Sequence, residues 1–262
     1  MDEIKVSLIA SSVRPQFYQT FLETLIGTSV KCEVIFVGNA RINSVIEAIK
    51  FANRDKEMVD FNYVSTENIK PAQCYEIARR KARGETVIWT ADDCEHTPDI
   101  VGKAYNYWKE QNNDKWILSI QTIENKQICN MLDHSFFGWN RNSPLMAPLG
   151  LMSRAYLEKL GGFDRRYICG QYENDVVMRV IADGGDVKVF GDKDNCIIID
   201  HYRKHGILRP FAKGYNHDRQ ILEGSWVKDG KVSLKINDKF EPYADEGILE
   251  KSQSFNLESQ WV

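Results

Sequence analysis

Short apolar runs alternate with amphipathic stretches through the N-terminal part of the chain. Lys5 to Ala10 predicts a first strand, and Pro15 opens a helix in which Tyr18, Phe21, Leu22 and Leu25 fall at i, i+3, i+4 and i+7 before Gly27. Cys32 to Val37 predicts a second strand. Ser44-Val45-Ile46-Glu47 has capping-box spacing ahead of a helix running to about Ala52, and Phe61 to Val64 supplies a third strand. Pro71 opens a helix with Cys74, Ala78 and Ala82 in one i, i+4 row and Ile77 beside it, closed by Gly84. Thr86 to Thr90 is short and apolar enough to be a buried strand, and Pro98-Asp99 opens another helical pattern. This β-α-β-α order calls for an α/β fold: a mainly parallel, twisted sheet with helices on both faces.

The pattern loosens afterwards. Trp116 to Ile123 reads as a strand, His134 to Pro148 is loop-rich, two helical patterns come next, and strands recur near Val187 to Phe190 and Cys196 to Ile199. Gly184-Gly185 ends the second of those helices. Past His201 the periodicity fades, except that Asp229-Gly230 suggests a turn between Ser225-Trp226-Val227 and Val232-Ser233-Leu234.

The strand from Thr86 ends abruptly in Ala91-Asp92-Asp93. Ligands of open α/β sheets bind beyond the carboxyl ends of strands, so adjacent acids there are placed to hold a cation or a ribose. Hard oxygen ligands of this kind suit Mg²⁺ or Mn²⁺ beside substrate phosphates. The plainer alternative is a solvated acidic turn, with Asp93 capping the next segment of chain.

Composition narrows the class. The 262 residues suit one large α/β domain, or one domain plus an extension. A net charge of −3 with no basic tract argues against a dedicated nucleic-acid binder. No apolar run approaches the ~20 residues that cross a bilayer, and Asp2 and Glu3 do not begin a signal-peptide pattern, so a cytosolic chain is expected unless something recruits it to a membrane periphery. The six cysteines are scattered without Cys-x-x-Cys spacing; reduced core thiols are expected, with Cys94 beside the acids the one to watch for accessibility.

The order helix, Ala82-Arg83-Gly84-Glu85, strand, Asp92-Asp93, then Pro98-Asp99 resembles glycosyltransferases with the nucleotide-sugar-binding, Rossmann-like GT-A fold, family 2 above all. A second resemblance lies in Gly161-Gly162-Phe163-Asp164, succeeded by Tyr172-Glu173-Asn174-Asp175 and Arg179. The resemblance covers roughly residues 1–206, divided into a nucleotide-binding half (1–95) and an acceptor-binding half (96–206). Residues 207–262 are then an extension packed on that domain, readable equally as a dimerisation arm of a homo-oligomer or as a lid over the acceptor site.

The resemblance implies a metal-dependent transfer, inverting in stereochemistry, of a sugar from a nucleotide-diphosphate donor to a saccharide or other hydroxyl acceptor. Asp92 would serve the ribose or the metal shell, Asp93 would coordinate Mn²⁺ or Mg²⁺, and His201 at a strand end would complete the shell, unless it is structural. Glu173 would be the general base, with Asp175 second; the alternative for Asp175 is an i, i+4 ion pair with Arg179 on the helix surface. Ala10, Ser11, Ser12, Arg14, Asn39 and Lys70 are nucleotide contacts by position, although Ser12 equally suits a cap for the helix at Pro15 and Lys70 equally flanks a helix start. Trp139, among Phe136, Phe137, Gly138 and Asn140, offers an aromatic face to an acceptor sugar, or else belongs with those phenylalanines in the core.

Departures from the family pattern are Gly38-Asn39 where an acid is usual, Thr90 in place of the first acid of Asp-x-Asp, and Tyr75 in place of arginine. They leave open a non-catalytic nucleotide-sugar-binding protein. A sugar-nucleotide pyrophosphorylase is disfavoured, because Ala10-Ser11-Ser12-Val13-Arg14 contains no glycine to cradle phosphates.

Overall fold

The computed structural model describes residues 3–52, 58–66, 70–124, 126–129, 147–199, 212–236, 240–244 and 248. Its strands, in chain order, are β1 (Val6–Ser11), β2 (Cys32–Gly38), β3 (Val59–Ser65), β4 (Thr86–Trp89), β5 (Glu95–His96), β6 (Trp116–Ile120), β7 (Thr122–Glu124), β8 (Gln127–Cys129), β9 (Gly150–Ser153), β10 (Asp186–Phe190), β11 (Ile197–Ile199), β12 (Val227–Lys228) and β13 (Lys231–Val232). The helices are α1 (Tyr18–Glu23), α2 (Ile42–Ala52), α3 (Pro71–Lys81), α4 (Ile100–Gln111), α5 (Arg154–Lys159), α6 (Tyr172–Ala182) and α7 (Ala212–Trp226).

The alternation resolves into a seven-stranded sheet of order β10-β6-β9-β4-β1-β2-β3. β1 pairs in parallel with β2 and β4, β2 with β3, and β6 with β10, while β9 lies antiparallel between β4 and β6. Every residue of β2, β4 and β9 is buried, as strands covered on both faces require. Because successive side chains point to opposite faces, neighbours such as Leu8 and Ile9, Val34 and Ile35, or Ile88 and Trp89 feed two separate cores. One packs under Tyr18, Phe21, Phe36 and Trp108; the other gathers Ile77, Phe163, Val177 and Trp226.

The structure departs from the sequence pattern in four places. Trp116 to Ile123 is not one strand: it breaks at Gln121, whose N–H reaches Phe190 O (2.8 Å) and whose carbonyl accepts from Ile197 N (2.9 Å). There the chain leaves the large sheet for a four-stranded sheet of order β5-β11-β7-β8. The helix at Ser44 begins earlier, at Ile42, so Ser44 lies in its first turn instead of capping it. Helix α3 ends at Ala82, which turns extended, and Gly84 has another use: a Cβ there would lie 2.7 Å from Ser7 N, and its own N–H donates to Ser7 Oγ at 2.9 Å. Finally, Ser225 and Trp226 belong to α7, a helix absent from the periodicity. The hairpin after it forms as anticipated, with Asp229 and Gly230 both at positive φ (52° and 70°), as a two-residue turn demands.

Candidate active site

Most of the residues expected to contact a nucleotide lie at the carboxyl ends of β1, β2 and β4. Asp92, fully buried, accepts from Ser12 Oγ (3.0 Å), Val13 N (3.0 Å) and Arg14 N (2.9 Å) through one oxygen, and from Arg14 Nε (2.7 Å) through the other. Arg14 also forks onto Asp93, with Nη1 2.8 Å and Nη2 3.0 Å from its two oxygens. The loop after β1 is thus wrapped around the acid pair, and one guanidinium spans both carboxylates. Those neighbours hold Arg14 above its ordinary pKa, although burial works the other way and is the largest single influence.

Gly38 explains the missing acid at the end of β2. A Cβ at this position would lie 1.8 Å from Ser12 O, so the strand can approach the acid-binding loop only as glycine. Ser12 Oγ, whose single proton goes to Asp92, accepts in turn from Tyr18 OH, and Tyr63 OH accepts from Ala40 N at 2.6 Å. Asn39 is exposed at this edge, and the buried hydroxyl of Thr66, whose N–H binds Gly38 O, has no hydrogen-bond partner among the described residues. Sequence reading missed Tyr63 and Thr66, whose only signal is their place at the end of β3. Ala10 is buried in register with Phe36, and Ser11 hydrogen-bonds the Cys74 thiol.

Glu173 is the second residue of α6. Its Oε2 is buried without a hydrogen-bond partner among the described residues. A carboxylate in a first helical turn is normally favoured in its charged form. Here burial prevails, supported by the negative charge of Asp218 and opposed by backbone hydrogen bonds at Glu173 and Gln171, and the acid is pushed up to about 7. Asp175 contrasts with it: Oδ2 accepts from Arg179 Nε (2.8 Å) and Oδ1 from Trp226 Nε1 (2.8 Å). The pair with Arg179 is buried, not on the helix surface as the spacing suggested, and Arg179 continues to Leu160 O and Gly162 O, both at 2.7 Å.

Tyr75 links the two sides. Its hydroxyl donates to Thr90 O, two residues before Asp92, and its ring lies 4.9 Å from that of Tyr172, the neighbour of Glu173. The Gly-Gly-Phe-Asp segment is structural support for this arrangement. Phe163 packs on Tyr75 and Tyr172 (6.0 and 5.6 Å), its N–H is held by Glu76 Oε2 (3.1 Å), and a Cβ on Gly162 would stand 2.4 Å from that same oxygen. Arg83 has the same kind of task, tying the end of α3 to Glu33 of β2.

Two expectations, for Cys94 and Ser12, change, while of the two readings of Lys70 its place at a helix start is seen. Lys70 is buried at the start of α3, where its ammonium donates to Arg165 O (2.9 Å) and burial lowers its pKa. Cys94 is inaccessible, its thiol pushed up to about 12 by burial and Asp93. Ser12 does not cap a helix; it belongs to the acid-binding loop. His96 points away from the acids into the core beside Phe21 and Thr24, held neutral by burial. His201 and Trp139, with Phe136, Phe137, Gly138 and Asn140, lie outside the described residues. Among the described residues no three His, Cys, Asp or Glu side chains converge as a metal site, and no helix is long and apolar enough to cross a membrane.

No family model matches the chain, and no curated relative matches it. Solved structures do. The chain is similar to TarS of S. aureus in complex with UDP-GlcNAc (16% identity, TM-score 0.60, 83% of this chain and 65% of that one). It is similar to the UDP complex at 15% identity and TM-score 0.58, over 75% of this chain and 60% of that one. A longer TarS structure matches at 13% identity and TM-score 0.60, over 84% of this chain but 39% of its own length. At such identities the likeness is one of fold, and the chain spans less than two thirds of the first TarS structure, 62% of its length.

Proposed function

We propose that the chain is a GT-A-type, family 2-like glycosyltransferase that binds a nucleoside diphosphate sugar at the ends of β1, β2 and β4 and transfers the sugar to a hydroxyl acceptor, with inversion. The observation that carries this reading is the unpaired, buried oxygen of Glu173, set across Tyr75 from the acid pair of the donor side. TarS, which shares the fold, binds UDP and UDP-GlcNAc, and UDP-sugars are the donors to try first.

Glu173 receives the acceptor's proton as the acceptor oxygen bonds to the anomeric carbon and the bond from that carbon to the diphosphate breaks. An acid raised to about 7 is matched to a base working near neutrality. The free Thr66 hydroxyl and the exposed Asn39 amide supply donors and acceptors for a nucleobase, and Ser11 and Ser12 flank the phosphates.

Asp92 and Asp93 have the hard oxygens that suit Mn²⁺ or Mg²⁺, and that donor chemistry fits the ion the family resemblance implies. When bound, such an ion stabilises the charge of the departing diphosphate. In this fold Arg14 shares its single positive charge between both acids, so a divalent ion held by Asp92 and Asp93 would take the place of the guanidinium there, and Arg14 would then be placed to serve the diphosphate as a planar, two-pronged donor. His201 is proposed as a further ligand and Trp139 as an acceptor platform. Calorimetry of UDP with and without Mn²⁺, in the parental chain and in Asp93→Ala, tests the donor side. Tighter binding with Mn²⁺ that the variant loses supports the assignment; equal affinity throughout removes the ion. UDP-GlcNAc and a panel of other nucleotide sugars, monitored for hydrolysis, test the activity, and binding without turnover of any donor would make the chain a binding module.

A further inference from the structure

Helix α7 comes from the part of the chain the family resemblance does not cover, and its buried face is unusual. Gly214, Asp218, Leu222, Ser225 and Trp226 face inward, so a carboxylate stands in the middle of an otherwise small or apolar stripe. Asp218 is fully buried. Its Oδ1 accepts from Ile168 N at 2.9 Å, and its Oδ2 accepts from Cys169 N (2.8 Å) and Gly170 N (2.9 Å). His217 Nδ1 stands 3.0 Å from Oδ1. Three successive backbone amides converging on one carboxylate form a fixed anion nest that holds a loop more tightly than any single contact would.

That loop leads directly into α6. Gln171, at φ 65°, is the residue between the nest and Tyr172-Glu173. The other end of the α7 stripe grips the same helix, through Trp226 Nε1 on Asp175. Gly170 completes the fit: a Cβ there would lie 2.7 Å from the Tyr215 ring of α7. The opposite side of the loop is fixed by Ala72 N on Ile168 O (3.1 Å), which places α3, and with it Tyr75, in the same frame.

We infer that Asp218 is a positioning residue for the proposed base: from the extension helix it sets the loop 168–170 so that the Glu173 carboxyl is presented with one oxygen unpaired. The inference rests on Glu173 being the base. Asp218 touches no reacting group and acts through the loop and through its charge. Among the described residues, the ionisable groups coupled to Glu173 are Asp218 from α7, Tyr172 from its own helix, Tyr75 from α3 and Cys169 from the loop. Asp218 is the carboxylate among them that disfavours ionisation of Glu173.

The test uses the full chain and two readouts, one of which needs no acceptor. Titration of the Glu173 carboxyl carbon by ¹³C NMR should show a midpoint that moves to lower pH in Asp218→Asn, because a repelling charge has gone. In the same variant UDP affinity should be unchanged while UDP-GlcNAc hydrolysis falls by about tenfold or more, as expected when a base is misplaced without being removed. Asp218→Glu, which keeps the charge but displaces the fork, should leave the midpoint near its parental value and still slow hydrolysis. If Asp218→Asn does not fold, the Glu variant decides: a parental rate there overturns the inference. A parental rate and midpoint in Asp218→Asn also overturn it. Glu173→Gln run alongside separates the two readings: parental hydrolysis in that variant sinks the base itself, whereas an inactive Glu173→Gln beside a parental Asp218→Asn sinks only the positioning role.

Discussion

The acid pair at Asp92 and Asp93 and the lone acid at Glu173 are treated in opposite ways by the same fold. Asp92 is over-supplied: two backbone amides, a serine hydroxyl and a guanidinium surround it, and that guanidinium also closes on Asp93. Glu173 keeps one oxygen buried and unpaired. Buried charge is tolerated where cation and hydrogen bonds match it, and a carboxyl denied those partners takes up a proton instead. The first arrangement suits a fixed charge that a ligand can exchange; the second suits a group that must change its protonation.

The largest effect should come from removing the exchangeable cation. Arg14→Ala takes the bridging guanidinium from two adjacent, fully buried carboxylates, and breaking a buried pair from one side costs about 3–5 kcal/mol. Urea unfolding without divalent ions should show that loss, and Mn²⁺ should restore much of it if the acids accept the ion. A variant equally unstable with and without Mn²⁺ would leave Arg14 as a purely structural clamp.

Glu173→Gln should act in two directions. Turnover should fall roughly 10²-fold or more, about 2.7 kcal/mol of transition-state stabilisation, with UDP affinity retained. Stability should rise at the same time. Between the ordinary glutamate pKa of 4.5 and about 7, folded Glu173 holds a proton that the unfolded chain has released. Native stability is therefore greatest below that window and declines as pH rises through it, by about 3 kcal/mol at most. Glutamine carries no such penalty, so the variant's unfolding midpoint should exceed the parental one at pH 8 and match it at pH 4. No difference at pH 8 would mean the acid is not held protonated, and the contrast with the Asp pair would collapse.

Trp226→Phe keeps a benzene ring in the core but removes the N–H on Asp175 together with part of the indole's bulk. Loss of a hydrogen bond to a buried charge should cost about 1.5–3 kcal/mol by denaturant unfolding. On the outer face of α7, Arg219→Ala breaks an exposed i, i+4 pair with Glu223 and should cost only about 0.3–0.5 kcal/mol. A comparable loss from both substitutions would show that α7 is not anchored by its inner face.

The donor half was legible because a parallel sheet covered on both sides writes itself as short apolar runs between amphipathic ones, and β1 to β4 obey that rule. What adjacency could not reveal was the wrap of Arg14 onto acids 78 and 79 positions further along the chain. The break at Gln121 was hidden because strand-forming residues lie on both sides of it, Ser119-Ile120 before and Thr122-Ile123 after, so nothing in that run marks the change of sheet. Helix α7 was invisible for a better reason: its buried stripe carries Gly214, Asp218 and Ser225, and a periodicity search counts those as polar or breaking positions. The residues that make the helix informative about the site are the ones that conceal it. Glu173 could be proposed from its motif, but its separation from Asp175 in role needed the knowledge that Trp226 and Arg179 use up both Asp175 oxygens.

The tether from Trp226 to Asp175 also sets an order of events during synthesis. Ser12, Val13 and Arg14, which hold Asp92 and Asp93, have emerged once β4 and its acids are out, whereas the frame of Glu173 waits for Asp218 and Trp226. At the usual 5–20 residues per second, that delay is on the order of ten seconds. For that interval the nascent chain carries the elements of the proposed donor site while the proposed base has no scaffold.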